Sequence, residues 1–175
     1  EMKYLKEKVD AGGDVILTQL FYDFEVFKGW VANCRAHGIN VPILPGIMPL
    51  NAYGGFKRMT GFCKTRIPPA MAAEVERLSG DDKKAEFVDF GINYMTDLCK
   101  KLAASGLVPG LHFYCLNSSE RSYQILGKLG YLKMPMGSPI SQMAATAGAV
   151  PINQRKPVEA SGDFKVADMS LADFG

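Results

Sequence analysis

Three short apolar runs, each ended by polar or turn residues and parted from the next by helical periodicity, constrain this chain most. They are Val15–Tyr22 (VILTQLFY), Val41–Pro49 (VPILPGIMP) and Val108–Asn117 (VPGLHFYCLN). Runs of this length read as strands, and nearly continuous apolarity marks strands covered on both faces. Strand alternating with helix is the pattern of parallel βα units, whose ligand chemistry gathers where the strands end. Those ends carry Gln19, the turn Pro45-Gly46-Ile47-Met48-Pro49, and Leu116-Asn117.

The intervening segments fit the same scheme. Residues Glu1–Ala11 read as a helix with Tyr4, Leu5 and Val9 on its apolar stripe, stopped by Gly12-Gly13. A strand follows over Asp14–Phe21, then Asp23 caps a helix over Phe24–Ala36, closed by His37-Gly38. The second strand spans Val41–Leu44; two prolines flanking Gly46 predict a stiff loop after it and exclude central-strand pairing there. Helices are predicted over Ala52–Cys63, up to Leu78, and from the Gly80-Asp81-Asp82 turn to Ser105. The last is amphipathic, with Phe87, Phe90, Ile92, Tyr94, Met95, Leu98 and Leu102 inward. The third strand reaches Cys115, and a final helix over Glu120–Leu129 stops at Gly130. From residue 133 to 175 the composition turns to Met, Pro, Ser, Ala, Gly and Gln without a period, which predicts a linker or mobile tail.

Three parallel βα units leave sheet edges open, and a closed eight-unit barrel takes about 250 residues. The 175 residues here therefore predict an α/β fold that is part of a barrel. Because the chain opens within a helix, its true start is expected upstream. A net charge of +2, with bases and acids interspersed, gives no reason to expect nucleic acid or a membrane surface as partner. The four cysteines, Cys34, Cys63, Cys99 and Cys115, lack metal-ligand spacing and read as buried reduced thiols. His37 fits a helix C-terminus and His112 a satisfied core position. Phe21-Tyr22 and Phe113-Tyr114 read as strand packing.

Several blocks in order make a specific resemblance. Leu5-Lys6-Glu7-Lys8-Val9-Asp10-Ala11-Gly12, Leu17-Thr18-Gln19-Leu20-Phe21-Tyr22-Asp23, Pro42 to Pro49, Arg66-Ile67-Pro68 and Ser105 to Tyr114 resemble methylenetetrahydrofolate reductase. The resemblance covers Glu1 to Leu132. It implies the C-terminal part of a (β/α)8 barrel holding FAD, with NADPH or NADH as co-substrate, that reduces 5,10-methylenetetrahydrofolate to 5-methyltetrahydrofolate in one-carbon and methionine metabolism. A cytoplasmic location goes with it; the sequence leaves homo-oligomer formation open.

By resemblance, Gln19 contacts the pterin, for which an amide offers donor and acceptor together. On its residues alone, Gln19 equally reads as an amide bonded to backbone at a strand end. Lys8 is implied at the flavin phosphates, Glu1 and Tyr4 at the flavin, and Leu116 along it. The family's Leu-Asn-Arg is here Leu116-Asn117-Ser118, so Ser118 stands where an arginine meets folate, and Arg121 is the nearby candidate to replace it. Met59 reads as packing, and Gly13 occupies the helix-to-strand junction near the flavin. No catalytic residue and no metal ligand is assigned, because the family's acid lies on the barrel's first strand, upstream. The chain alone is accordingly expected to be inactive. The alternative expectation is a non-catalytic barrel fragment acting as a binding or assembly partner through its open edges. Another flavin barrel, of the proline dehydrogenase type, is a third.

Overall fold

The computed structural model describes residues 1–131; the tail expected from residue 133 lies outside them. The element order is α1 (Met2–Asp10), β1 (Ile16–Leu20), α2 (Phe24–Ala36), β2 (Ile43–Ile47), α3 (Tyr53–Phe62), α4 (Pro69–Arg77), α5 (Lys84–Ala104), β3 (His112–Phe113) and α6 (Glu120–Lys128). The three strands form one parallel sheet in the order β1-β2-β3. Parallel neighbours need crossovers, supplied by α2 between β1 and β2 and by α3, α4 and α5 between β2 and β3.

Local chemistry sets the helix ends. Asp23 Oδ1 accepts from the N–H groups of Glu25 and Val26, satisfying two otherwise orphaned donors of α2. At its other end, the Ile39 N–H donates to the Cys34 carbonyl and the Gly38 N–H to that of Arg35, with Gly38 at φ 73°. This is a Schellman closure, and the residue after the glycine, Ile39, is fully buried. The Gly80-Asp81-Asp82 turn makes one 3-10 turn over Asp81–Lys83, and neither aspartate caps α5 through its side chain.

The core lies between the sheet and its helices. Ile43 and Ile47 of β2 meet Val31 and Cys34 of α2 and Met95, Cys99 and Leu102 of α5 in one buried cluster. At Gly91 an added Cβ would come 2.5 Å from Leu50 Cβ, so only glycine lets α5 lie this close to the chain leaving β2. The cysteines are all free: Cys34 and Cys99 are buried, Cys63 and Cys115 half-buried.

Three expectations need correction. The segment Pro45-Gly46 is not a loop: β2 runs through it and is the central strand. Successive N–H groups of a strand point to opposite neighbours, and that of Gly46 points to β1, where it meets Thr18 Oγ1. The donor that Pro45 lacks therefore falls on the β3 side, where pairing begins only at Gly46. Second, β1 is not covered on both faces, since Leu17 and Gln19 are exposed. Third, β3 is two residues long, being an edge that pairs only with β2.

Candidate functional site

All strands being parallel, their C-terminal ends lie on one side of the sheet. Glu1 at the N-cap of α1, and Tyr4 and Lys8 within it, line one groove of about 480 Å³ together with Leu17, Thr18 and Gln19 from β1 and Trp30 from α2. Four predicted site residues are thus brought together. The groove follows the unpaired edge of β1 and is largely apolar, with Lys8 resting 4.5 Å from the centroid of the Tyr4 ring. At Gly13 an added Cβ would sit 3.3 Å from Val9 Cα, so this junction is tight.

Gln19 spends half of its amide on backbone: its Oε1 accepts from the Leu20 N–H at 2.9 Å. Its side-chain nitrogen has no hydrogen-bond partner among the described residues, leaving a donor at the open strand end. Of the two ways of reading the residue, the bond to backbone is the one observed. The oxygen is held, and the nitrogen is on offer.

Leu116 lies elsewhere, in a smaller cleft with Met48, Pro49, Arg58, Met59 and Tyr114. Cys115 to Ser118 form a tight turn, the Ser118 N–H donating to the Cys115 carbonyl at 2.8 Å. Leu116 (φ 44°) and Asn117 (φ 66°) are both left-handed, as in a type I′ turn. Asparagine tolerates this; leucine does so only under strain, and here its side chain is 63% exposed. The turn is anchored from behind by Cys115 Sγ, 3.3 Å from Ser122 Oγ. Ser118 lines none of these grooves.

Arg121 occupies a third groove, of about 560 Å³, with Asn51, Lys84 and Asp89. Its guanidinium donates to Glu120 Oε1 and Gln124 Oε1. It does not share a groove with Gln19. Among the described residues no cluster of three or more His, Cys, Asp or Glu is placed to hold a metal, and no helix is long and apolar enough to cross a membrane.

Sequence reasoning missed what stabilises the end of β1. Leu17 pairs with Leu44 and Leu20 with Gly46, so three steps along β1 match two along β2, a bulge at Thr18-Gln19. Tyr114 is not mere packing, because its hydroxyl donates to the Thr18 carbonyl at 2.8 Å from two strands away. Its ring crosses β2 over Gly46, where a Cβ would lie 2.5 Å from Tyr114 Cε2 and collide with the Thr18 carbonyl oxygen. A glycine inside a strand is the one sequence signal for such a close approach. His112 is not a satisfied core histidine: it is half-buried on the face left open, its ring edge-on to Tyr114, without a ring hydrogen bond among the described residues. Tyr94 similarly ties α5 to the end of β1, donating to the Tyr22 carbonyl at 2.7 Å. Burial, and then the Asp23 carboxylate, push the Tyr94 hydroxyl up, so it keeps its proton.

A parallel sheet with open edges, and polar groups at its strand ends, defines this as part of an α/β barrel protein. A solved structure of an uncharacterized Clostridium thermocellum protein, described as binding two copies of 5-methyl-5,6,7,8-tetrahydrofolic acid, superposes on it with a TM-score of 0.55. At 13% identity, over 74% of this chain and 48% of that one, the likeness concerns the fold alone. The family model described as Methylenetetrahydrofolate reductase matches residues 1–130, and the chain belongs to that family. It is 47% identical over 132 residues to Methylenetetrahydrofolate reductase (NADH) 1 of Arabidopsis thaliana, covering 75% of this chain and 22% of that protein. It is 39% identical over 132 residues to Methylenetetrahydrofolate reductase 2 of Saccharomyces cerevisiae, covering 75% and 22%. With 5,10-methylenetetrahydrofolate reductase of Salmonella typhimurium the identity is 38% over 126 residues, covering 72% and 42%. The chain thus spans about a fifth of the plant and yeast proteins and under half of the bacterial one.

Proposed function

We propose that this chain forms one side of the catalytic barrel of a methylenetetrahydrofolate reductase, which reduces 5,10-methylenetetrahydrofolate to 5-methyltetrahydrofolate with NADH or NADPH through FAD. The observation that carries the proposal is Gln19: an amide bonded to backbone through its oxygen, with an unclaimed donor, at a strand's C-terminal end. A pterin edge presents acceptors that such a donor would meet.

The groove beside Gln19 fits part of a flavin. Its apolar wall, with Leu17 and Trp30, suits a ring system, and the Lys8 ammonium suits a phosphate. Lys8, Tyr4 and Glu1 are the residues of this chain that would hold it there, while Leu116, in the separate cleft after β3, would line another part of it. When bound, FAD supplies the hydride chemistry; the protein supplies orientation and electrostatics. Gln19 would orient the folate, and Arg121 or Ser118 would meet its more distant parts. The acid that assists opening of the methylene bridge would come from barrel strands outside residues 1–131.

In a complete reductase built on this segment, Gln19→Ala is expected to lower kcat/KM for methylenetetrahydrofolate by about ten- to a hundredfold, the scale of one lost hydrogen bond in a closed site. An unchanged kcat/KM would remove the glutamine from the site.

A further inference from the structure

From the crossing of Tyr114 over Gly46 we infer that Tyr114 is a positioning residue: its hydroxyl sets the direction of Gln19 by holding the preceding carbonyl. The inference rests on the proposed role of Gln19. A bulge leaves backbone groups without ladder partners, and in β1 it falls at Thr18-Gln19. Four bonds satisfy it, one of them the Thr18 hydroxyl donating to the Gln19 carbonyl at 2.9 Å. The Gly46 N–H donates to Thr18 Oγ1 at 2.9 Å, the Leu20 N–H donates to Gln19 Oε1 at 2.9 Å, and the Tyr114 hydroxyl donates to the Thr18 carbonyl at 2.8 Å.

The Tyr114 bond is the unusual one. β1 and β3 are not neighbours in the sheet, so no ladder bond joins them. Tyr114 supplies one by laying its ring across β2 over Gly46, where a side chain would collide with it. The ring is held at its own strand by the Tyr114 N–H, which donates to the Ile47 carbonyl at 2.8 Å, and by His112, 4.8 Å away between ring centroids. The peptide whose oxygen Tyr114 grips is the one that carries the Gln19 nitrogen. Rotation of that peptide turns the Gln19 side chain, so the strut fixes where its free donor points. The same residue follows Phe113 and precedes the Cys115 turn that displays Leu116. Tyr114 therefore couples the end of β3 to the end of β1, two places where the cofactor and the folate are proposed to meet.

The test is a double-mutant cycle in the complete reductase, with melting temperature followed in parallel. Tyr114→Phe keeps the ring and removes one oxygen. It is expected to lower kcat/KM for methylenetetrahydrofolate about fivefold to tenfold, the worth of one neutral hydrogen bond. Added to Gln19→Ala it is expected to cost nothing more, because it acts through that side chain. Thr18→Val, which keeps the shape and removes both bonds of the Thr18 hydroxyl, to the Gly46 N–H and to the Gln19 carbonyl, is expected to show the same non-additivity and stands in should Tyr114→Phe fold poorly. An unaltered kcat/KM in Tyr114→Phe, or a loss that adds fully to that of Gln19→Ala, overturns the inference. A null result for Gln19→Ala alone instead overturns the functional role of the glutamine.

Discussion

Ile43 on β2 is fully buried beneath the helices, whereas Leu17, one strand over and on the opposite face, is 49% exposed. Both belong to apolar runs that look alike in sequence. The helix-side face is closed by α2 and α5 into one cluster containing Val31, Cys34, Met95, Cys99 and Leu102. The other face carries Leu17, Gln19 and His112, together with the cleft walls that end at Leu116. The contrast teaches that one face of this segment is closed by its own helices, while the other is left open among the described residues.

The sharpest way to break that comparison is to truncate both sides. Ile43→Ala is expected to destabilise the chain by about 3 kcal/mol in urea unfolding, as a cavity in a packed core. Leu17→Ala should cost less than about 1 kcal/mol, because little is packed against it. Equal costs would mean that the open face is not open.

Second in size is the crossing over β2. Gly46→Ala is expected to cost about 2 kcal/mol, since backbone on one side and a ring on the other must both move. Gly110→Ala, whose added carbon would meet only Leu44 Cδ2 at 3.5 Å, should stay within about 0.5 kcal/mol. Matching unfolding midpoints for the two variants would contradict the strut.

A smaller effect probes the other strand end. Leu116→Gly relieves a left-handed leucine and is expected to stabilise the chain by about 1 kcal/mol, read from the same unfolding curves. Destabilisation instead would show that the leucine side chain is packed and not displayed.

The smallest effect is in alkali. Burial pushes the Cys99 thiol from 9.0 up to about 12, and it raises the Cys34 thiol in the same direction. The folded chain then holds protons that the unfolded chain releases, so this contribution is complete below about pH 9 and is lost as pH rises toward about 12. Cys99→Ala should flatten the alkaline fall of the urea midpoint. An unchanged slope would show that Cys99 does not titrate on unfolding.

The helix-side face was the legible one. The spacing of Phe27, Val31 and Cys34, the Asp23 cap and the Gly38 and Gly130 stops all report local chemistry, which a single sequence carries. The course of β2 through Pro45 was not legible, because proline excludes pairing only on the side its missing donor faces, and that side depends on where β3 begins. Nor was the Tyr114 strut, which joins residues 96 positions apart. Grouping Glu1, Tyr4, Lys8 and Gln19 came from the family's motif blocks, and the groove between α1 and β1 does contain all four. Arg121 fell into a different groove because α6 turns it toward Gln124.

The central claim is that this segment holds one side of a reductase site and requires the other. The direct measurement is oxidation of NADH or NADPH coupled to reduction of 5,10-methylenetetrahydrofolate with added FAD, on the 175-residue chain and on a polypeptide carrying it within a complete barrel. Turnover is predicted only for the complete barrel. Turnover by the 175-residue chain at a comparable rate would contradict the account.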